Sequence, residues 1–69
     1  MGKIKILVNG NEKETNANST VSDLLKELEV TGTMFVVEKN LQIVAKEDYA
    51  TTLVKENDSF ELVGFYGGG

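Results

Sequence analysis

Residues 3–10, Lys-Ile-Lys-Ile-Leu-Val-Asn-Gly, contain the strongest fold signal in this chain. Apolar residues occupy every second position from Ile4 to Val8, which is the period of a strand with one buried face. Asn9-Gly10 follows directly, and both residues tolerate the positive φ angles of a tight hairpin turn. The sequence therefore predicts an N-terminal hairpin whose return strand covers residues 12–16. That strand is polar, and its charges discourage pairing at an open sheet edge.

The segment after the hairpin has the signals of an amphipathic helix. Thr20 fits the N-cap position, with Asp23 in the first turn, where an acidic residue is favourable. Apolar residues then recur at helical spacing and form one stripe, which predicts packing against a sheet. Gly32 is the expected stop. The stripe consists of Val21, Leu24, Leu25 and Leu28.

The remaining chain predicts three more strands, at residues 34–38, 42–45 and 59–66. We expect turns at 39–40 and 56–58, where Asn57 can take a left-handed conformation. One helical turn is expected within 47–52, with Tyr49 and Leu53 folding back on the core. The order of a hairpin, a helix and further strands predicts an α+β roll. The helix is long enough for a crossover, which favours parallel pairing of the first and last strands at the sheet centre. This arrangement is a β-grasp, a mixed sheet covered by one main helix.

Composition excludes many function classes. The chain has 69 residues, a net charge of -4, seven lysines and no Cys, His or Arg. These absences exclude disulfides, thiol nucleophiles, imidazole ligands and bidentate guanidinium clamps for phosphate. The acidic balance argues against nucleic acid as a partner, and no apolar run reaches the length of a membrane span. We therefore expect a cytoplasmic protein that is not an enzyme, with no intrinsic cofactor and no metal site.

The three closing glycines are the strongest functional signal. Gly67, Gly68 and Gly69 lack Cβ atoms, so they can adopt many backbone conformations and pass through a narrow tunnel. They present the terminal carboxylate of Gly69, which is ionised at neutral pH and needs activation before it can react. The chain offers no base or nucleophile for that step, so the activating enzyme must be a separate protein. An inert flexible tail is the alternative interpretation.

The whole chain resembles the ThiS family of thiamine-biosynthesis sulfur carriers, within the ubiquitin-like β-grasp superfamily. The C-terminal segment is the most specific, and the others are mostly what the fold requires. Some loops depart from the family pattern, for example Asn40-Leu41 where many members have Asn-Gly. The matching segments are Ile6-Leu7-Val8-Asn9-Gly10, Thr20-Val21-Ser22-Asp23-Leu24-Leu25, Ile43-Val44 and Val63-Gly64-Phe65-Tyr66-Gly67-Gly68-Gly69.

The resemblance implies a role for the C terminus. It implies that an E1-like enzyme uses ATP to adenylate Gly69 and that sulfur from a sulfur-donating enzyme then gives a thiocarboxylate. A thiazole synthase takes that sulfur to build the thiazole half of thiamine. We accordingly expect a β-grasp domain at 1–66 and a flexible tail at 67–69.

A docking surface is predicted beside the tail. If Phe60 and Leu62 face the helix, then Val63 and Phe65 face the other way, because side chains alternate along a strand. Leu7 would share that open face, where an apolar patch suggests a partner.

Residues 46–69 also carry a net charge of -3, which would complement a basic partner surface. The predicted partner-binding residues are Val63, Phe65, Tyr66, Gly67 and Gly68.

Three other functions stay open from the sequence. The small subunit of molybdopterin synthase also ends in Gly-Gly, although it is usually longer. A ubiquitin-like modifier would attach its tail to a lysine of a target protein. A plain β-grasp interaction domain would leave the tail unreacted.

Overall fold

A computed structural model describes residues 2–30 and 35–64 of the chain. Within these ranges it contains five strands, one α-helix and one short 3₁₀ helix. The helix is α1 (Val21–Glu27), and the 3₁₀ helix covers Lys46–Asp48. The strands are β1 (Lys3–Val8), β2 (Asn11–Asn16), β3 (Phe35–Lys39), β4 (Gln42–Val44) and β5 (Ser59–Gly64).

The strands form one mixed sheet in the order β2-β1-β5-β3-β4. β1 and β5 are parallel neighbours at the centre, and the other neighbouring pairs are antiparallel. Parallel neighbours require a crossover, and the chain between β1 and β5 includes α1. The predicted α+β architecture with a central parallel pair is therefore confirmed.

The core lies between α1 and one face of the sheet. Its buried side chains are 0–6% exposed, and they come from the alternating positions of the strands and from the apolar stripe of α1. Leu25 and Leu28 pack against this core from the edge of the stripe. The buried hydrophobic residues are Ile6, Val21, Leu24, Val37, Val54, Phe60 and Leu62.

The start of α1 follows the prediction. Thr20 is the N-cap, and its hydroxyl accepts a hydrogen bond from the Asp23 backbone N–H at 3.2 Å. In return the Thr20 backbone N–H donates to Asp23 Oδ2 at 3.0 Å, and this hydrogen bond lowers the pKa of the Asp23 carboxyl. Reciprocal capping of this kind satisfies two donors that the first helical turn leaves free.

The end of α1 differs from the prediction, which placed the stop at Gly32. The helix ends at Glu27, and Glu29 takes a left-handed φ of 60°. The Glu29 N–H donates to Lys26 O at 3.0 Å, and the Val30 N–H donates to Leu25 O at 3.1 Å. These bonds form a Schellman motif, a helix stop usually made by glycine. Gly32 itself lies outside the described residues.

Positive φ angles occur in four tight turns of the described residues, one of them at Asn18. Asn9 and Gly10 have φ values of 50° and 84°, which confirms the first hairpin turn, and Asn57 has a φ of 70°, as predicted. The β3–β4 turn is shifted by one residue from the predicted 39–40. Lys39 still pairs with Gln42 in the sheet, so Asn40 and Leu41 make the turn, with φ values of 52° and 72°.

Packing of the segment before β5 corrects one prediction. Leu53 was expected to face the core, but it is 42% exposed, whereas Val54 is 2% exposed. The chain is held here by an antiparallel bridge between Leu53 and Thr20, and by a Val54 N–H bond to Ser19 O at 2.8 Å. Successive side chains of extended backbone point in opposite directions, so only one of the pair can be buried. Tyr49 does pack against the core, and burial raises the pKa of its hydroxyl.

Candidate functional site

β5 is the strand that leads directly to the predicted C-terminal site. It lies at the centre of the sheet, between β1 and β3, and pairs with β3 from Phe60 to Gly64. On its other side β5 pairs with β1 only at Ser59 and Phe60, and beyond them the Leu62 N–H donates to Asn9 Oδ1 at 2.9 Å. Of the predicted site residues, Val63 is described; Phe65, Tyr66, Gly67, Gly68 and Gly69 lie outside the described residues.

Gly64 has a backbone conformation that the sequence analysis did not anticipate. Its φ is 102°, a value that residues with a Cβ atom rarely adopt, and it pairs with Phe35 at the end of β5. A glycine inside an apparent strand pattern often marks a change in the direction of the backbone, and this signal was available from the sequence. Gly64 therefore ends β5 with a backbone conformation that other residues rarely adopt.

The open side of the sheet carries the predicted docking surface. We call the outer face a set of six side chains of β1, β3, β4 and β5 that point away from the core. Phe60 and Leu62 are buried and Val63 is 50% exposed, as the alternation along β5 predicts. Leu7 is also exposed on this side. The outer face consists of Leu7, Val36, Glu38, Ile43, Glu61 and Val63.

Two apolar members of the outer face were not predicted. Val36 lies directly opposite Val63 and is 42% exposed, and Ile43 lies opposite Glu38 and is 71% exposed. The run Phe35-Val36-Val37 is apolar throughout, so the sequence does not show which of its side chains points outward. The pairing with β5 decides this, because Val37 is opposite the buried Leu62.

A polar cluster fixes the start of β5 against the β3–β4 turn. The buried carboxylate of Asp58 accepts from Asn40 Nδ2 at 3.0 Å and from the Lys55 backbone N–H at 2.8 Å. Asn40 Oδ1 in turn accepts from the Ser59 N–H at 2.9 Å, and Lys39 Nζ lies 3.7 Å from Asp58. A buried carboxylate with this many partners is satisfied, so the cluster holds the sheet in register.

Among residues 2–30 and 35–64 there is no cluster of three or more metal-ligating side chains, and no helix long and apolar enough to cross a membrane. A recess of about 410 Å³ lies between the first hairpin and the end of α1, lined in part by Val8, Lys13, Leu28 and Leu62. Glu12 also lines this recess, so its wall combines apolar side chains with one acidic and one basic group.

Comparison with solved structures supports a specific family. The fold superimposes on the crystal structure of the thiamine biosynthesis protein ThiS from Geobacter metallireducens with a TM-score of 0.82 and 30% sequence identity. The match covers 96% of this chain and 100% of that one. The two proteins therefore share the whole β-grasp fold and not a fragment of it.

Comparison with known sequences leads to the same family as the structural match. The chain is 36% identical over 50 residues to the sulfur carrier protein ThiS of Bacillus subtilis, covering 72% of this chain and 76% of that protein. It is 44% identical over 66 residues to a thiazole synthase of Paramagnetospirillum magneticum, and 33% identical to one of Magnetococcus marinus. The chain spans 20% of the length of each thiazole synthase. The model of the ThiS family matches residues 6–69, and the chain therefore belongs to the ThiS family.

Proposed function

We propose that this protein is a sulfur carrier whose Gly69 carboxylate becomes a thiocarboxylate and donates sulfur for thiazole formation in thiamine biosynthesis. The observation that carries the proposal is the family match, which runs through the closing Gly-Gly-Gly to Gly69. In this role the chain is a co-substrate of its partner enzymes and not an enzyme itself. Its proposed location is the cytoplasm.

The chemistry needs two steps at Gly69. A carboxylate is a poor electrophile because its negative charge is delocalised over two oxygens. An E1-like partner therefore uses ATP: a carboxylate oxygen attacks the α-phosphorus, pyrophosphate leaves, and an acyl adenylate forms. Sulfur at the oxidation level of sulfide, from a sulfur-donating enzyme, then attacks the acyl carbon and releases AMP. The composition of the chain fits a carrier that holds sulfur at its C terminus, because it has no Cys to carry the sulfur on a side chain.

The thiazole synthase relatives support the identity of the acceptor. In those proteins a segment similar to this chain lies in the same polypeptide as the rest of a thiazole synthase. Covalent linkage raises the effective concentration of two domains that act on each other. We propose that this chain makes the same functional contact with a thiazole synthase, whether or not the two are linked.

Intact-mass spectrometry tests the proposal. The chain is incubated with ATP, the cognate activating enzyme and a sulfur donor, and the expected product is heavier by the exchange of one oxygen for sulfur. Fragmentation should place the sulfur on Gly69. The sulfur-loaded chain should then support thiazole formation by a thiazole synthase.

Two matched variants control for the role of the terminus. One lacks Gly69, and the other carries one extra residue after it; both should unfold at the temperature of the unmodified chain. Neither should acquire sulfur, because the activated carboxylate is missing or displaced. Sulfur loading of either variant, or attachment of the unmodified chain to lysines of other proteins instead of sulfur loading, would contradict the proposal.

A further inference from the structure

We propose that Glu38 and Glu61, side by side on the outer face, form a recognition site for a basic side chain of the activating enzyme. Val36, Val63 and Ile43 then contact apolar groups around that cation. This inference rests on the proposed function, because it takes the adenylating partner as the occupant. It assigns a specific chemical determinant to the face that the sequence marked only as an apolar patch.

The argument begins with the register of β3 and β5. Glu38 lies directly opposite Glu61 in this antiparallel pair. Residues in such positions have Cβ atoms only about 4.5–5.5 Å apart, and like charges placed there destabilise a sheet. The free protein therefore has two acidic residues at opposed positions, where one acidic residue and one lysine would stabilise the sheet.

Local cations do not relieve this repulsion. Within the described residues, the ion pairs are Lys5–Glu12, Lys13–Glu27 and Lys39–Asp58. Lys39 follows Glu38 in the chain but belongs to the opposite side of the sheet, where its Nζ also donates to Leu53 O at 3.1 Å. By contrast, the outer side of β1 and β2 carries an ion pair, with Lys5 Nζ 4.0 Å from Glu12.

The surroundings of the carboxylates are apolar. Val36 and Val63 form the next cross-strand pair on the same face as Glu38 and Glu61, and Ile43 lies opposite Glu38 on β4. All three of these apolar side chains are more than 40% exposed. A partner that covers them removes water from the carboxylates as well, which strengthens their attraction to a cation. It also makes an unpaired carboxylate costly, so the partner must supply positive charge.

The negative charge of Glu38 and Glu61 determines which kind of group can bind this face. A second copy using the same face would bring four carboxylates together, and the chain already has a net charge of -4. A divalent ion held by this pair would have few protein ligands, whereas calcium usually takes six to eight oxygens. An arginine has five N–H donors in a planar fork and can reach two carboxylates at once, so it is the expected partner group.

The test compares charge-neutral variants of nearly unchanged shape. The double variant Glu38→Gln/Glu61→Gln is measured for binding to the activating enzyme by surface plasmon resonance at several salt concentrations. We expect roughly tenfold or greater loss of affinity, and a weaker salt dependence of the association rate. The matched control, Glu14→Gln/Glu29→Gln, removes the same charge from exposed positions on the edge strand β2 and after the end of α1, and should bind within about twofold of the unmodified chain.

Stability provides an independent readout. The double variant removes a cross-strand repulsion, so its thermal unfolding temperature should equal or exceed that of the unmodified chain. Weaker binding together with a lower unfolding temperature would show a structural role and would overturn the inference.

The remaining outcomes separate the two proposals. If the unmodified chain binds and acquires sulfur, but the double variant binds equally well, the recognition site is refuted and the proposed function stands. If the unmodified chain binds no activating enzyme, both fail. If a chelator alone weakens binding of the unmodified chain as much as the double substitution does, the carboxylates hold a metal ion and the inference is overturned.

Discussion

At the scale of single residues, Leu41 combines two unfavourable features. Its φ is 72° and its side chain is 87% exposed, so it has backbone strain without compensating burial. A left-handed conformation costs a residue with a Cβ atom about 1–2 kcal/mol, because the Cβ approaches the following carbonyl oxygen. The neighbouring Asn40 meets the same requirement at less cost, since its side chain bonds to Asp58 and Ser59. Asn-Gly, common at this turn in the family, avoids the strain.

Replacing Leu41 with glycine should therefore stabilise the protein. We expect Leu41→Gly to raise the free energy of unfolding by about 0.5–1 kcal/mol, after the greater chain entropy of glycine in the unfolded state offsets part of the gain. Urea denaturation provides the measurement. The control Leu41→Ala keeps the Cβ atom and should change stability by less than about 0.5 kcal/mol. Equal stabilisation by both variants would show that side-chain exposure, and not backbone strain, is the cause.

At the scale of secondary-structure elements, one hydrogen bond joins β2 to α1. The buried Thr15 hydroxyl donates to Glu27 Oε1 at 2.7 Å, and Lys13 Nζ lies 3.5 Å from Glu27 Oε2. The hydrogen bond from Thr15, followed by the charge of Lys13, lowers the pKa of Glu27 below its ordinary value of 4.5. A carboxyl with a lower pKa in the folded state stabilises the fold above its unfolded pKa. That contribution is lost as the pH falls through the folded pKa.

The variant Thr15→Val should remove this contribution. It replaces the hydroxyl with a methyl group of similar size, so the core stays filled while Glu27 loses its donor. We expect a loss of stability at pH 7 that is below about 1 kcal/mol, because the Glu27 side chain is partly exposed to water. Urea denaturation at pH 7 and at pH 3 should show that the difference between the two proteins shrinks in acid. A difference that is the same at both pH values would indicate a packing defect instead.

The elements also show where prediction from sequence succeeds. β1 and the Asn9-Gly10 turn could be predicted because the alternation, the turn residues and the register all favour one hairpin. The end of α1 could not, because Glu29 takes the left-handed position that glycine usually occupies, so no residue type marks the stop. Leu53 and Val54 are equally apolar, and only the bridge to Thr20 decides which one is buried.

At the scale of the whole molecule, the two faces of the sheet have different roles. One side holds the core against α1, and the other side presents the outer face, which includes Val63 near the end of β5. The sequence predicted Val63 on that surface because the alternation along β5 is clear. It missed Val36 and Ile43 because their orientation depends on cross-strand pairing. The Glu38–Glu61 pair was missed for the same reason, since residues 23 positions apart become neighbours only in the folded sheet.

Adjacent residues of β5 allow a direct test of the different roles of the two faces of the sheet. Val63→Asp places a charge on the outer face, where the side chain is 50% exposed, and should lower stability by only about 1 kcal/mol through the poor strand propensity of aspartate. It should nevertheless weaken binding to the activating enzyme strongly, because it adds a third carboxylate beside Glu61 and removes an apolar contact. Leu62→Asp, one residue earlier, buries a charge in the core and should prevent folding, as measured by circular dichroism. If Val63→Asp binds as tightly as the unmodified chain, the outer face is not the docking surface.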